Sequence, residues 1–260
     1  MLVTFDSNVW RPAGDPSRFP NDPMYSAFKK INEALRVDQV EGRLSETIFT
    51  LEGIVRSDRK AFIGGYEPDI KIVEEQMPDG RLSVNFSIGP DRFAHPGSNT
   101  YLRSHLGDAL ALGFKLMRCY RIGGIINIDM NEDWYVKVST GSADISAKFG
   151  EVGRRIEAAG AGIAWIRAIG IRYARSGEHW TDGLRNAPAS EDNAIASAVA
   201  EWADGDSVAA HFAYGNHYFC TRDLARTSGR NSVFAETNRR WLEVEYGLKL
   251  VTPEELASLV

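Results

Sequence analysis

Cysteine is scarce: Cys119 and Cys220 are the only two in 260 residues, with no CxxC pair and no Cys/His cluster. A structural zinc site and a disulfide framework are therefore both excluded, and the two thiols read as small buried hydrophobes in a reducing compartment. Long apolar runs are missing as well. The most apolar later stretch, Ala158 to Ala174, is interrupted by Arg167 and Arg172 and falls short of the ~20 apolar residues a membrane span needs. The opening residues reach an acid at Asp6 without a basic start and a long apolar run, so no secretory signal is expected and a cytoplasmic location follows. Positive charge is not in excess either. A net charge of −5 and a pI near 5.6 argue against binding nucleic acid by bulk charge. They leave room for a nuclease, because metal-binding carboxylates add negative charge that divalent ions reverse locally. Internal repeats and low-complexity tracts are also absent.

What is present is ordinary globular material, 43% hydrophobic and 25% charged, enough for one large domain or a domain with an insertion. Leu2 to Phe5 forms a short β-branched and apolar run, a strand buried on both faces, and Asp6 stands at its end. Prolines then disfavour regular structure up to Met24, after which Phe28, Ile31 and Leu35 recur at helical spacing to Leu35. Gly42 to Thr47 reads as a second strand, followed by a helix carrying Leu51, Glu52, Ile54 and Val55 with Thr47 or Thr50 as its cap. In the middle, Leu82 to Ile88 alternates like a strand, Pro90 to Gly97 is a loop, and Leu102 to Tyr120 has helical periodicity. Ile125 to Val138 reads as a strand or hairpin. Helices are expected over Ala143 to Ala159 and Ile163 to Arg175, and a loop from Ser176 to Ala189.

The last third is the most regular. Ser190 caps a helix that turns Ile195, Val199 and Trp202 inward. Asp206 opens a further small-residue helix through Ala213, ended by Gly215. His217 to Thr221 is a strand with Asp223 just beyond it, and a polar loop around Ser228 and Gly229 leads to a helix near Val233 to Tyr246. Leu248 to Val251 is a final strand before a capped helix opening Thr252, Pro253, Glu254. Alternating strands and helices at both ends imply an α/β fold around a mainly parallel sheet.

In open parallel sheets functional groups gather beyond the carboxyl ends of the strands. Asp6 and Asp223 follow strands directly, Glu52 lies just after the second, and Asp206 heads the segment leading to the strand before Asp223. Glu46 competes with Glu52, and Asp204 with Asp206. Four carboxylates in one crevice repel one another, which a bound Mg²⁺ or Mn²⁺ relieves. A pair of such ions suits hydrolysis of a phosphodiester by an activated water.

The strings LVTFDSNVW, SETIFTLEGI, DGDSVAAHFAYGNHYFCTRD and GLKLVTPEEL resemble, in order, the first strand, the second strand and helix, the late acidic helix with its strand, and the C-terminal strand of PIN-domain proteins. The family's Asp followed by a small polar residue and Asn is matched by Asp6, Ser7 and Asn8, its helix glutamate by Glu52, its helix aspartate by Asp206, and its Thr-x-Asp by Thr221 and Asp223. The resemblance implies a three-layer α/β/α fold and an Mg²⁺- or Mn²⁺-dependent ribonuclease, in many members the toxin of a toxin–antitoxin pair. It thereby implies RNA as substrate, an antitoxin-type protein as a partner, and pairing of two copies. It covers roughly residues 1–59 and 191–260, leaving 60–190 as an extended or inserted helical and partly β middle region.

Ser7, Asn8 and Thr221 are expected to orient carboxylates, and Arg222 to contact a phosphate. His211 reads as a packed core histidine. Arg154, Arg155, Arg167, Arg172 and Arg175 read either as a phosphate-tracking surface or as solvated helix faces. Two rivals stay open. One is a non-catalytic PIN-like module binding RNA or protein. The other is a haloacid-dehalogenase-like phosphatase, opposed by Asn8 standing where that chemistry needs a second Asp.

Overall fold

The computed structural model describes residues 1–66, 69–89, 95–96, 100–121, 125, 130–138, 142–223 and 232–260. The loop expected around Ser228 and Gly229 lies outside them, as do most of the Pro90 to Gly97 loop and part of the Ile125 to Val138 segment.

The chain opens with β1 (Leu2–Phe5), α1 (Trp10–Gly14), α2 (Tyr25–Arg36) and β2 (Glu41–Ser45), then a π-helical turn at Ile48–Glu52 and α3 (Arg59–Gly65). A hairpin of β3 (Asp69–Gln76) and β4 (Leu82–Gly89) precedes α4 (Thr100–Ala111) and β5 (Lys115–Met117). There follow α5 (Ser142–Ala158), α6 (Ile163–Tyr173), α7 (Trp180–Asn186), α8 (Asp192–Ala213), β6 (Tyr218–Cys220), α9 (Glu236–Tyr246), β7 (Leu250–Val251) and α10 (Pro253–Leu259).

Five strands form one parallel sheet in the order β5-β2-β1-β6-β7. The order runs outward from β1 in both directions, so the direction of winding reverses at the centre. There the connections leave on opposite sides, and a crevice opens beyond the carboxyl ends of β1 and β6. Register brings those ends level: Phe5 pairs with Cys220, so Asp6 and Thr221 emerge side by side.

Alternate residues of each strand enter different cores, so helices cover both faces, as a parallel sheet requires. Val3, Phe5, Leu44 and Leu116 pack with residues of α1, α2, α4 and α10, whereas Met117 and Phe219 pack with residues of α5 and α8. A third apolar cluster joins α8 to α3, α6 and α7. Glycines make the approach of α6 to α7 close enough: a Cβ on Gly183 would stand 1.8 Å from the Gly170 carbonyl oxygen.

The structure corrects the reading of several segments. Residues 102–120 are not one helix, because Gly113 at φ +87° ends α4 and frees Lys115–Met117 to join the sheet as its edge. The expected loop from Ser176 to Ala189 contains α7, whose capping box uses His179 as N-cap and Asp182 at its third position. Neither Thr47 nor Thr50 caps a helix through Glu52. Thr47 makes no cap bond and instead donates to the Ala203 carbonyl at 3.2 Å, tying the π-helical turn to α8. Finally, Asp206 opens no helix, since α8 runs unbroken for 22 residues. The stretch before Met24 also holds regular structure, α1 with Pro12 inside it, β3 pairs with β4 where no strand was expected, and the described part of the Ile125 to Val138 segment has a 3-10 turn at Glu132–Trp134 and a single bridge from Tyr135 to Leu116. The Thr252/Glu255 capping box with Pro253 inside it stands where the pattern puts it. Among the described residues no helix is long and apolar enough to cross a membrane.

Candidate active site

Asp6 sits at the mouth of the central crevice because β1 ends there. Its backbone N–H continues the ladder to the Cys220 carbonyl at 3.0 Å, while its side chain is buried with 4% of its surface exposed. The carboxylate is held by short polar neighbours. Ser7 N–H donates to Oδ1 at 2.7 Å, and Asn8 Nδ2 and Thr221 Oγ1 donate to Oδ2 at 2.9 and 2.5 Å. Asn8 also accepts the Arg222 N–H at 3.1 Å, and Thr221 Oγ1 accepts the Asp223 N–H at 2.9 Å. Asn8 and Thr221 thus stitch the ends of β1 and β6 together and fix where Asp6 and Asp223 stand. This use of the Asn8 amide is a clamp on Asp6, unlike the general acid that the phosphatase rival needs at that position.

Glu52 ends the π-helical turn and reaches the same crevice, where Ser7 Oγ donates to its Oε1 at 3.3 Å. Irregular turns of this kind recur at functional sites because they aim a side chain off the regular helical path. Arg59 braces the turn by donating to the carbonyls of Glu52, Ile54 and Ala196 at 2.9, 3.2 and 2.8 Å. Glu46, the competing acid, is spent elsewhere, accepting the Cys119 N–H and the Tyr135 hydroxyl at 2.6 and 2.8 Å.

The third element is α8, on which the structure separates Asp206 from its competitor Asp204. Two residues along a helix are separated by about 200°, so Asp204 and Asp206 face opposite ways. Asp206 accepts from Arg121 Nε at 2.7 and 2.8 Å and from Trp202 Nε1 at 2.9 Å, in a buried pair extended by Glu157. Asp204 instead feels the charges of Asp6, Glu52, Glu201 and Asp223. The acid on α8 that joins the crevice is Asp204.

These carboxylates are uncomfortable together. Burial, opposed by its hydrogen bonds and reinforced by Asp223, pushes Asp6 up to about 6. Burial and the charge of Asp6 push Glu52 up to about 7. Asp204 rises well above the usual carboxylate range, from burial and then from its acidic neighbours. Glu201, one turn before Asp204 on α8, is also raised to about 7 by burial. Its Oε1 accepts the Gly162 and Val233 N–H groups at 3.2 and 2.5 Å, so its task is to hold two chain segments against the helix.

An oxygen-only set of mutually repelling carboxylates, Asp6 buried and the others half-buried, matches the donor chemistry of Mg²⁺ or Mn²⁺. Among the described residues no three His, Cys, Asp or Glu side chains are already gathered as one ligand group. That still fits Mg²⁺, which commonly takes one or two protein carboxylates and fills its octahedron with water. Asp6, Glu52, Asp204 and Asp223 are the residues that could hold such ions.

Other expected residues are engaged elsewhere. Arg222 is turned to Asp22 at 2.6 Å and lies over the Phe28 ring, away from a phosphate role. Arg155, Arg167 and Arg172 pair with Glu245, Glu157 and Glu191, which favours the solvated-face reading. His211 is a core residue hydrogen-bonded to Thr4 at 2.9 Å. Both cysteines are free thiols.

Beside Ser7 and Glu52 lies a pocket of about 240 Å³, lined also by Trp10, Arg11, Arg59 and Tyr101. Trp10 is buried and Tyr101 is 53% exposed. The Arg11 guanidinium lies 5.5 Å from the centre of the Tyr101 ring. The residue pattern carried no marker for this pocket, since Tyr101 comes from the middle region and Arg11 from a proline-rich stretch. Glu201 and Asp204 do leave a trace, a pair of acids at i, i+3 in the middle of an alanine-rich helix.

No family model matches the chain, and neither curated proteins nor solved structures include a significant match.

Proposed function

We propose that this chain is an Mg²⁺- or Mn²⁺-dependent ribonuclease of PIN-like, three-layer architecture, hydrolysing RNA phosphodiester bonds at Asp6, Glu52, Asp204 and Asp223. The observation that carries the reading is the convergence of these carboxylates at the central crevice of the parallel sheet, with Asp6 and Glu52 raised to about 6 and 7 and Asp204 higher still. Crowded acids cost stability, and a bound divalent cation offsets that cost.

Divalent ions bound there would supply positive charge against the phosphoryl oxygens and lower the cost of generating the attacking hydroxide. The chain's own residues do the positioning. Asn8 and Thr221 direct one oxygen of Asp6, leaving Oδ1 with the Ser7 N–H. Ser7 bridges to Glu52, coupling the β1 end to the π-helical turn. Arg59 keeps that turn from relaxing away from the crevice.

The test is Mn²⁺ calorimetry combined with cleavage of a mixed RNA pool. Wild type is expected to bind Mn²⁺ and cut, and Asp6→Asn to lose cutting while keeping its circular dichroism spectrum. Full activity of Asp6→Asn would sink the assignment. Absence of both Mn²⁺ binding and cleavage in wild type would favour a non-catalytic binding module, and an aspartyl-phosphate trapped on Asp6 would favour the phosphatase.

A further inference from the structure

The pocket beside Glu52 contains two guanidinium groups that make no ion pair among the described residues. Arg59 donates only to backbone carbonyls, so its charge meets no carboxylate directly. The Arg11 side chain forms no hydrogen bond or ion pair among the described residues and lies only over the Tyr101 ring, whereas many other arginines near the surface are paired. Both guanidiniums sit close enough to Glu52 to oppose the rise in its pKa. A positive group kept unpaired at the edge of an acidic crevice is placed to receive an anion that the crevice itself would repel.

Next to it stands an aromatic ring held for contact. Tyr101 meets buried His105 edge-on with ring centres 4.5 Å apart, and His105 is packed in turn against Trp10 and Phe19. The ring is thereby fixed, yet more than half of the residue stays open to solvent. An exposed tyrosine immobilised by a stack of buried rings loses little freedom on binding a flat ligand. Its volume of about 240 Å³ suits one splayed nucleoside and not a duplex.

We propose that this pocket is a nucleotide subsite next to the cleavage site, with Arg11 binding a phosphate that flanks the scissile one and Tyr101 stacking on the adjoining base. The inference rests on the nuclease reading for its substrate class. It also gives the middle region a task, because α4 carries Tyr101 into the wall of the crevice built by the two ends of the chain.

The probe is a 5′-fluorescein decanucleotide of 2′-O-methyl ribonucleotides, read by anisotropy in Mn²⁺ buffer with its length checked on a gel after each titration. Tyr101→Ala is expected to weaken binding about ten-fold, Tyr101→Phe to restore it, and Arg11→Gln to weaken it while flattening its salt dependence. On cleavable RNA the same variants should raise KM more than they lower kcat. Unchanged Kd and KM in Tyr101→Ala and Arg11→Gln, with Asp6→Asn inactive, would overturn the subsite and leave the nuclease reading standing. Lost binding in both variants of a wild type that never cuts RNA would uphold the subsite and remove the nuclease.

Discussion

Asp204 and Asp206 are neighbours on α8 with opposite environments, and their variants should behave oppositely. Asp206→Asn leaves the largely buried Arg121 guanidinium with only part of its counter-charge, and should cost on the order of 3 kcal/mol in urea unfolding. Asp204→Asn removes a carboxylate from a crowd of like charges. It should raise the melting midpoint of the metal-free protein and abolish Mn²⁺-dependent cleavage. The reverse pattern would restore Asp206 to the site. Asn8→Ala and Thr221→Val remove the clamp on Asp6 together with the bonds to the Arg222 and Asp223 N–H groups, and should lower Mn²⁺ affinity or activity by roughly 10- to 100-fold while the fold persists.

The same residues set a pH dependence. Glu52 and Glu201 move from an ordinary 4.5 to about 7, so the folded chain binds their protons more tightly than the unfolded chain does. Stability therefore falls as pH rises through that window. His211, buried without charge and pushed down to about 3, works in the opposite direction, but only below its ordinary 6.5. Between pH 6.5 and 8 the carboxylates dominate. In chelator the melting midpoint should drop across this range, and Mn²⁺ should raise it more at pH 8 than at pH 6.5. A larger Mn²⁺ effect at the lower pH would count against ions among these acids.

At the level of elements, legibility followed local cause. β1, α2, α5, α6 and α10 were readable because each combines its own periodicity with its own stop or cap, as Thr252, Pro253 and Glu255 do for α10. α8 was misread as two helices because Asp204, Gly205 and Asp206 look like punctuation. What keeps them helical is tertiary: Gly205 lets the helix pass so close to Gly162 that a Cβ would stand 2.9 Å from its Cα. That misreading carried the choice of acid with it, since a residue opening a helix and one in mid-helix point differently. β5 was missed because three residues carry too little pattern, and only pairing with β2 makes them a strand. The crossing of α6 and α7 depends on a contact no pattern displays. Gly183→Ala should lose about 1–3 kcal/mol through overpacking, measured as a lower urea midpoint at unchanged m value.

For the whole molecule, the parallel sheet explains why Asp6, Glu52 and Asp223 were legible as a set: chain ends of neighbouring strands meet whatever lies between them. Arg11 and Tyr101 were not, and Asp204 only as the competitor of Asp206, because they arrive through helix facing and through the packing of α4 on α1.

The central position of β1 also has a consequence in time. Its partner β6 begins at Tyr218, more than two hundred residues later, and at a ribosomal pace of 5–20 residues per second that interval is roughly 10–40 s. During it one edge of β1 has no neighbour, and Asp6 lacks Thr221, the residue that clamps it. The crevice therefore cannot close around Asp6 until β6 and Thr221 have been made, however early β1 itself is available.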